Sequence, residues 1–546
     1  MIILSGIGTV LFWIYAFVVF ILVLGVIVCL HEAGHLFFAK RAGILCHEYS
    51  IGMGPLIKQW KKPGKETSIS IRSIPIGGYV SMAGEDMNET LLKEDQVIRL
   101  NFDENGLVKD IITSTTVDGE VEGIVKQYDL YGKDGAELFI DLMVGEELKH
   151  YLVLRDAHYV FSAKEKVQIA PYDRCFESKK WWPRFWTILG GPLMNFVLAL
   201  FIFLIVGLVA GVPNRESTVV GELTDLYPAS RVLNVGDEIK AVNGVSVNTW
   251  NEFSAELAKH SGEEVVSVTY LRDGTTYVKD IETIIVSYRL GVANFDNDDT
   301  EGDGNYIYHS DKGLKVALVF KGNYVASLAG LQNGDIILGY YDGSNLVETK
   351  QWKSLIDYIE KDEELDSIKL RILRTDGTEE DVTSNVFTAT TIDVLGVGTT
   401  TKTAIGVACE THFSFFGGIG NAFDLFWNSI TTVFKTLWAL IADSQVHITD
   451  LSGPVGIFSA VKSYLGTDFV TFMSFVGLIS ANIGIVNLLP IPALDGGRIV
   501  FLIYEGITKK KVGKKFETAL NNLVFFLLLG LFVFITVIDV IRLFRG

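Results

Sequence analysis

Apolar and polar positions divide the 546-residue chain into stretches of two kinds. Four long apolar runs stand out, at about residues 7–30, 185–212, 469–489 and 523–541. Each approaches or exceeds the roughly 20 apolar residues that cross a bilayer as a helix. The first run has no basic segment before it and no small-residue cleavage site after it, and it is too long for a signal peptide, so it is expected to stay as a span. Between the runs the pattern changes. "TSISIRSIPIGGYV" alternates, is rich in β-branched residues and is punctuated by Gly and Pro, which predicts a hairpin close to the bilayer within residues 44–85. Residues 86–178 hold short strand-like runs and predict a β-rich insertion.

Further along, "YPASRVLNVGDEIKAVNGVSV" and "YVASLAGLQNGDIILGYYDGSNL" share one pattern. Each leads into an amphipathic stretch ("TWNEFSAELAKH", "TKQWKSLIDYIEK") and then a strand, turn and strand. Repetition of one supersecondary unit explains this best, with the units at 213–295 and 305–400 and an acidic linker, "FDNDDTEGDGN", between them. In "NAFDLFWNSITTVFKTLWALIAD", Phe423, Phe426, Trp427, Ile430, Val433, Phe434, Leu437, Trp438 and Ile441 recur at helical spacing, interrupted by Asp424 and Lys435. That predicts a helix within 412–450 lying in the membrane interface rather than crossing, or equally one packed against the other helices. The expected order is thus a first span (1–43), hairpin (44–85), insertion (86–178), second span (179–212), two outer units, interfacial helix, third span (451–505) and fourth span (506–546). The fold class is a polytopic α-helical membrane protein with about four transmembrane helices, a membrane-associated β-hairpin and inserted α+β domains.

Charge adds a direction. The net charge is −18, and residues 213–411 hold 17 Lys and Arg against 33 Asp and Glu, a net −16. This acidic block argues against nucleic acid and against an anionic lipid surface as its partner. Basic residues cluster beside the spans instead: Lys40, Arg41, Lys58, Lys61, Lys62 and Lys65; Lys179, Lys180 and Arg184; and Arg498, Lys509, Lys510, Lys511, Lys514 and Lys515. The positive-inside rule places those three regions in the cytoplasm, and the acidic block and both termini outside a plasma membrane. Of Cys29, Cys46, Cys175 and Cys409 only the last then faces outward, so no external disulfide framework forms, and without a CxxC pair cysteine is not a metal ligand.

The chemistry lies where the first apolar run ends, in "CLHEAGH". His31 and His35 are i and i+4 on one helix, so both imidazoles project from one face and can bind one metal ion. Glu32 stands beside them as a general base for water. Ionisable groups in a span are costly and mark function. Two histidines leave a catalytic zinc one ligand short. Asp495 in "NLLPIPALDGG" supplies a third at the same membrane depth, and Pro490 and Pro492 forbid a regular helix before it, freeing backbone groups.

Together, HEAGH, "GGPLMNF" and "NLLPIPALDGG" resemble the site-2 protease family of intramembrane zinc metalloproteases. "SIGMGP", "IPIGGYVSMAGE" and the outer repeats, which resemble PDZ domains, are similar to its bacterial RseP-type branch, and "VQIAPYDRCFESKKWWPRF" to Gram-positive members. The resemblance implies Zn2+ held by His31, His35 and Asp495, with Glu32 activating water. It implies that Asn487 holds an unwound substrate, that Pro490 and Pro492 shape the loop, and that the hairpin end at Gly77, Gly78 and Tyr79 adds a strand to that substrate. The implied partners are the lipid bilayer and single-span membrane proteins such as anti-sigma factors or signal-peptide remnants. Many Gram-positive members carry one PDZ domain where this chain shows two repeats. Two other classes fit less well: a catalytically silent PDZ scaffold has no use for Glu32, and a metal transporter distributes polar groups across the bilayer rather than at one depth.

Overall fold

The computed structural model describes residues 2–85, 92–162, 165–224, 227–296, 307–320, 330–394, 399–442, 445–446 and 448–545. Most of the expected acidic linker, and residues 86–91 of the insertion, lie outside the described residues. The longer helices are, in chain order, α1 (Ile2–Arg41), α2 (Trp181–Ala210), α3 (Trp250–Lys259), α4 (Trp352–Glu360), α5 (Phe415–Ala442), α6 (Pro454–Tyr464), α7 (Phe469–Leu488), α8 (Asp495–Thr508) and α9 (Lys514–Arg545). The chain divides into two compact units, Met1–Ile202 with Phe458–Leu531, and Phe203–Ile457 with Phe532–Gly546.

In the first unit α1 runs for 40 residues without a break and ends at Lys40 and Arg41. Strands β1 (Cys46–Trp60) and β2 (Ser68–Met82) follow as the expected hairpin. Its register is unusual: Ser50 pairs with both Ser70 and Tyr79, and Ile51 with both Ile71 and Gly78. The two halves of β2 thus flank β1, and residues 78–82 form an outer edge with which no other described strand pairs. In the insertion, Val97–Phe102, Val108–Ile112, Val121–Asp129, Phe139–Val144 and Glu147–Ser162 close into a ring, because Val108–Ile112 also pairs in parallel with Glu147–Ser162. Alternation drives this closure: Leu100, Ile111, Val125, Ile140 and Leu142 point inward and are fully buried.

Helices α1 and α2 meet at glycines. A Cβ on Gly34 would lie 2.1 Å from the Gly190 carbonyl oxygen, and one on Gly190 would lie 2.6 Å from that of Gly34. Small residues let the two backbones touch where no hydrophobic force between apolar helices exists. Within the expected third-span region, 451–505, α7 takes the apolar run at 469–489, with α6 before it and the start of α8 after it. Asp468 starts α7 by accepting from the Thr471 amide, and the chain breaks again after Leu488, where Pro490 and Pro492 cannot donate to a helix.

In the second unit the repeat holds at the level of single hydrogen bonds. The Asp237 side chain accepts from the Asn234 amide at 2.8 Å, and the Val220 amide donates to the Asp237 carbonyl at 2.8 Å. Asp335 accepts from the Gln332 amide, and Val316 donates to the Asp335 carbonyl, each also at 2.8 Å. Arg272 and Arg374 close the two arrangements with 2.6 Å ion pairs to Asp237 and Asp335. Helices α3 and α4 take the two amphipathic stretches. The repeats are nonetheless not consecutive. Leu318–Val319 of the second repeat pairs with Val292–Ala293, whereas Val220–Leu223 of the first pairs with Val407–Cys409, beyond the second repeat. Leu290 lies in the core of the second repeat and Ile405 in that of the first. Expected boundaries at 213–295 and 305–400 separate strands that the fold joins.

Among the described residues, five helices, α1, α2, α5, α7 and α9, are long and apolar enough to cross a membrane, one more than the four expected. The addition is α5, the stretch expected to lie in the interface, and it is the least apolar of the five. Apolar content sufficed for α5 to pass as a span despite Asp424 and Lys435.

Candidate metal centre

His31 and His35 sit one turn apart on α1, exposed by only 7% and 6%. Asp495 is the first residue of α8. What brings it there is the folded-back loop before it. A Cβ on Gly496 would lie 2.1 Å from the Leu489 carbonyl oxygen, and one on Gly497 would lie 2.4 Å from that of Ile491. Only glycines let the loop lie against the first turn of α8, and Ala493 takes a left-handed φ of 73° to complete it. The Ala493 amide donates to the Asn521 side chain of α9. Helix α8 is fixed against the start of α2 by Trp181, which donates to the Leu502 carbonyl at 2.8 Å, and by an Arg184–Glu505 ion pair at 2.9 Å.

The three ligand atoms form a nearly equilateral triangle. His31 Nε2 and His35 Nε2 are 3.2 Å apart, and Asp495 Oδ2 lies 3.2 and 3.3 Å from them. Donors about 2.0–2.1 Å from one zinc ion at tetrahedral angles stand about 3.3–3.4 Å apart, so this triangle has the right edge. Two further observations test the fit. The Asp495 Oδ2 atom is buried with no hydrogen-bond donor among the described residues, which a cation remedies. Beside it is a space that only glycine leaves: a Cβ on Gly191 of α2 would lie 2.3 Å from His35 Nε2 and 2.6 Å from His31 Nε2. The residues present fit zinc. His35 Nδ1 faces the Thr187 carbonyl at 2.8 Å, which fixes its proton there and leaves the Nε2 lone pair open to a metal ion.

A cavity of about 220 Å³ opens onto the triangle. Glu32, Tyr79, Glu85, Asn487 and Arg498 line it along with the ligands. Glu32 adjoins the hairpin edge, since a Cβ on Gly78 would touch its Cγ at 3.3 Å. Tyr79 is tied back: its hydroxyl donates to Glu48 at 2.9 Å. Burial, and then this carboxylate, push its pKa up to about 12. Burial alone would raise Glu48, but Ser70, Arg72 and Tyr79 outweigh it and hold the carboxylate below its usual range. The hairpin edge is therefore braced from within by its own ion pair. Pro490 and Pro492 lie in the loop before Asp495 but do not line the cavity.

Five residues here were given no role at the site from sequence: Thr187; Gly191 and Asn195, quoted only within GGPLMNF; Glu85, only within IPIGGYVSMAGE; and Arg498, only as a basic residue beside a span, the last two paired to each other. Asn195 is the one with a visible signal, a polar residue inside an apolar run.

The model of Peptidase family M50 matches residues 19–531. Zinc metalloprotease RasP of Shouchella clausii is 30% identical over 96% of this chain and 98% of its own. The RasP proteins of Oceanobacillus iheyensis (31%, covering 96% and 99%) and Geobacillus kaustophilus (30%, covering 96% and 97%) are similar throughout. A PDZ domain of an SdrC-like protein from Listeria monocytogenes matches 12% of the chain and 72% of its own at 24% identity, with a TM-score of 0.12. With a family match and relatives that run the length of a chain holding several apolar helices, the protein belongs to peptidase family M50, the site-2 protease family of membrane zinc metalloproteases.

Proposed function

We propose that this protease cuts single-span membrane proteins inside or at the edge of the bilayer, using His31, His35 and Asp495 as zinc ligands and Glu32 as the base. The observation that carries this is the buried His31–His35–Asp495 triangle, set in long apolar helices and open to a cavity with Glu32 on its wall. Zinc bound there supplies Lewis acidity at the scissile carbonyl and acidifies water enough for attack near neutral pH. Glu32 takes the proton from the attacking water and delivers it to the leaving amide nitrogen. A substrate helix must unwind first, because its carbonyls are committed to internal hydrogen bonds. The 78–82 edge, with which no other described strand pairs, offers replacement backbone bonds beside Glu32, and Asn487, which lines the same cavity, offers its side-chain amide.

Sidedness and the placement of α5 belong to the same reading. Basic residues surround the site end of the helices, which favours the cytoplasmic face. Helix α5 would extend about 42 Å, yet both its ends are tied to the repeat-bearing unit. Before it, Thr411–His412 pairs with Val212–Pro213; after it, Gln445 bonds to Val386, Thr388 and Thr391. A crossing helix would carry its far end away from that unit, so an in-plane α5 and four crossings fit better. The repeats, as PDZ-like units, would screen substrates by the bulk of their outer domains.

The deciding experiment uses the purified full-length protease in liposomes with a single-span substrate. Glu32→Gln should keep zinc and abolish cleavage; near-normal turnover would sink the assignment. Single cysteines replacing Val512 and Asp273 should be labelled from opposite sides, Val512 from the cytoplasm, and the reverse would put the site at the outer face.

A further inference from the structure

We infer that Asn195 selects the zinc-binding tautomer of His31, by presenting its amide oxygen to the Nδ1 proton. The inference rests on His31 being a zinc ligand. A neutral imidazole carries one N–H and one lone pair. For Nε2 to bind metal, Nδ1 must hold the proton and needs an acceptor. His35 has one in the Thr187 carbonyl. The Nδ1 of His31 faces the Asn195 amide at 3.2 Å, with the amide nitrogen as the nearer atom.

That orientation conflicts with the site. An amide N–H aimed at Nδ1 would force the His31 proton onto Nε2, towards His35 Nε2 and Asp495 Oδ2, each 3.2 Å away. One of the three donors would then be lost. In the same orientation the Asn195 Oδ1 atom is buried with no partner among the described residues. Amide oxygen and nitrogen are nearly equal in size, and their assignment follows from the hydrogen-bond network. A half-turn of the amide places oxygen against Nδ1–H, satisfies the orphaned acceptor and restores the Nε2 lone pair.

The position is held for this purpose. Asn195 is fully buried, and its backbone carbonyl accepts from Ser480 of α7 at 2.9 Å. On α2 the residues 187, 191 and 195 fall at intervals of four, on one face. Thr187 serves His35, Asn195 serves His31, and Gly191 between them leaves the space beside both Nε2 atoms. Helix α2 thus furnishes no ligand and yet sets both ligands.

The test is zinc affinity of the full-length enzyme, stripped of metal and titrated with zinc against a chromophoric chelator. Asn195→Asp accepts in either orientation and cannot donate, so it should bind zinc at least as tightly as wild type. Asn195→Leu should weaken binding about 10–100-fold. Two results would overturn the inference: wild-type affinity in Asn195→Leu, or an Asn195→Asp variant weakened tenfold or more. If Asn195→Leu does not fold, Asn195→Asp still decides between accepting and donating, because a donating role predicts weakened zinc binding in that variant. The visible spectrum of the cobalt-loaded Asn195→Asp enzyme should retain the wild-type band pattern, and a changed pattern would count against the inference. His31→Ala is the separate control: unchanged zinc affinity there would remove the ligand assignment itself, whereas lost affinity there with an unaffected Asn195→Leu would remove only the role of Asn195.

Discussion

The candidate zinc-site region and the repeat region are both assembled from distant pieces of chain, but by different means. At the candidate metal centre, His35 of α1 and Asp495 of α8 are 460 residues apart in sequence, and the helices meet through side chains whose chemistry announces them: two histidines one turn apart and an aspartate after a broken helix. In the repeats the distant partner is a three-residue strand, Val407–Cys409, that joins Val220–Leu223 through its backbone. Long-range contacts made by reactive side chains leave a mark on the sequence. Those made by backbone hydrogen bonds and one or two apolar side chains leave almost none.

The comparison can be broken at its tightest point first. Gly191→Ala adds one methyl group where the two Nε2 atoms lie within 2.6 Å. It should expel zinc or splay its ligands and lower cleavage at least about 10²-fold, read as zinc per protein and as rate. If Gly191→Ala binds zinc normally, the space beside the histidines is not the metal's.

A second test concerns the exchanged strand. A fragment of residues 213–295 lacks Ile405 and Val407, whose burial contributes about 3–5 kcal/mol, a large share of a small domain's stability of about 5–15 kcal/mol. It should be unfolded by circular dichroism, whereas 213–411 should fold as one cooperative unit. Independent folding of 213–295 would show that the strand exchange is dispensable.

A smaller effect separates the repeats from each other. Asp335 and Arg374 are more deeply buried than Asp237 and Arg272, the arginine side chains being 16% and 28% exposed. Asp335→Ala should therefore destabilise the 213–411 fragment by about 2 kcal/mol, and Asp237→Ala by less, in urea unfolding. Equal or reversed losses would show that burial of the arginine does not set the strength of the pair.

The same contrast explains what the sequence displayed. His31, Glu32 and His35 were legible because helical spacing alone puts them together. Asp495 was legible because prolines and paired glycines mark where α8 must begin. Asn195 was not, since an asparagine in an apolar run shows that it has a partner but not which one. The strand exchange was not anticipated either, although Leu290-Gly291-Val292-Ala293 and Ile405-Gly406-Val407-Ala408 repeat each other. Strands of two or three residues are too short for periodicity to register. The extra helix capable of crossing reflects a related limit: the residues of α5 fix its length and apolar content, but its direction depends on what holds its ends.

One measurement bears most directly on the account. Zinc content and cleavage should be determined together for wild type, Glu32→Gln and Asp495→Ala, each purified full-length. The account predicts one zinc per chain with cleavage in wild type, full zinc without cleavage in Glu32→Gln, and loss of both in Asp495→Ala. Stoichiometric, tightly held zinc in Asp495→Ala would contradict it, because the third ligand would then lie outside the His31–His35–Asp495 triangle.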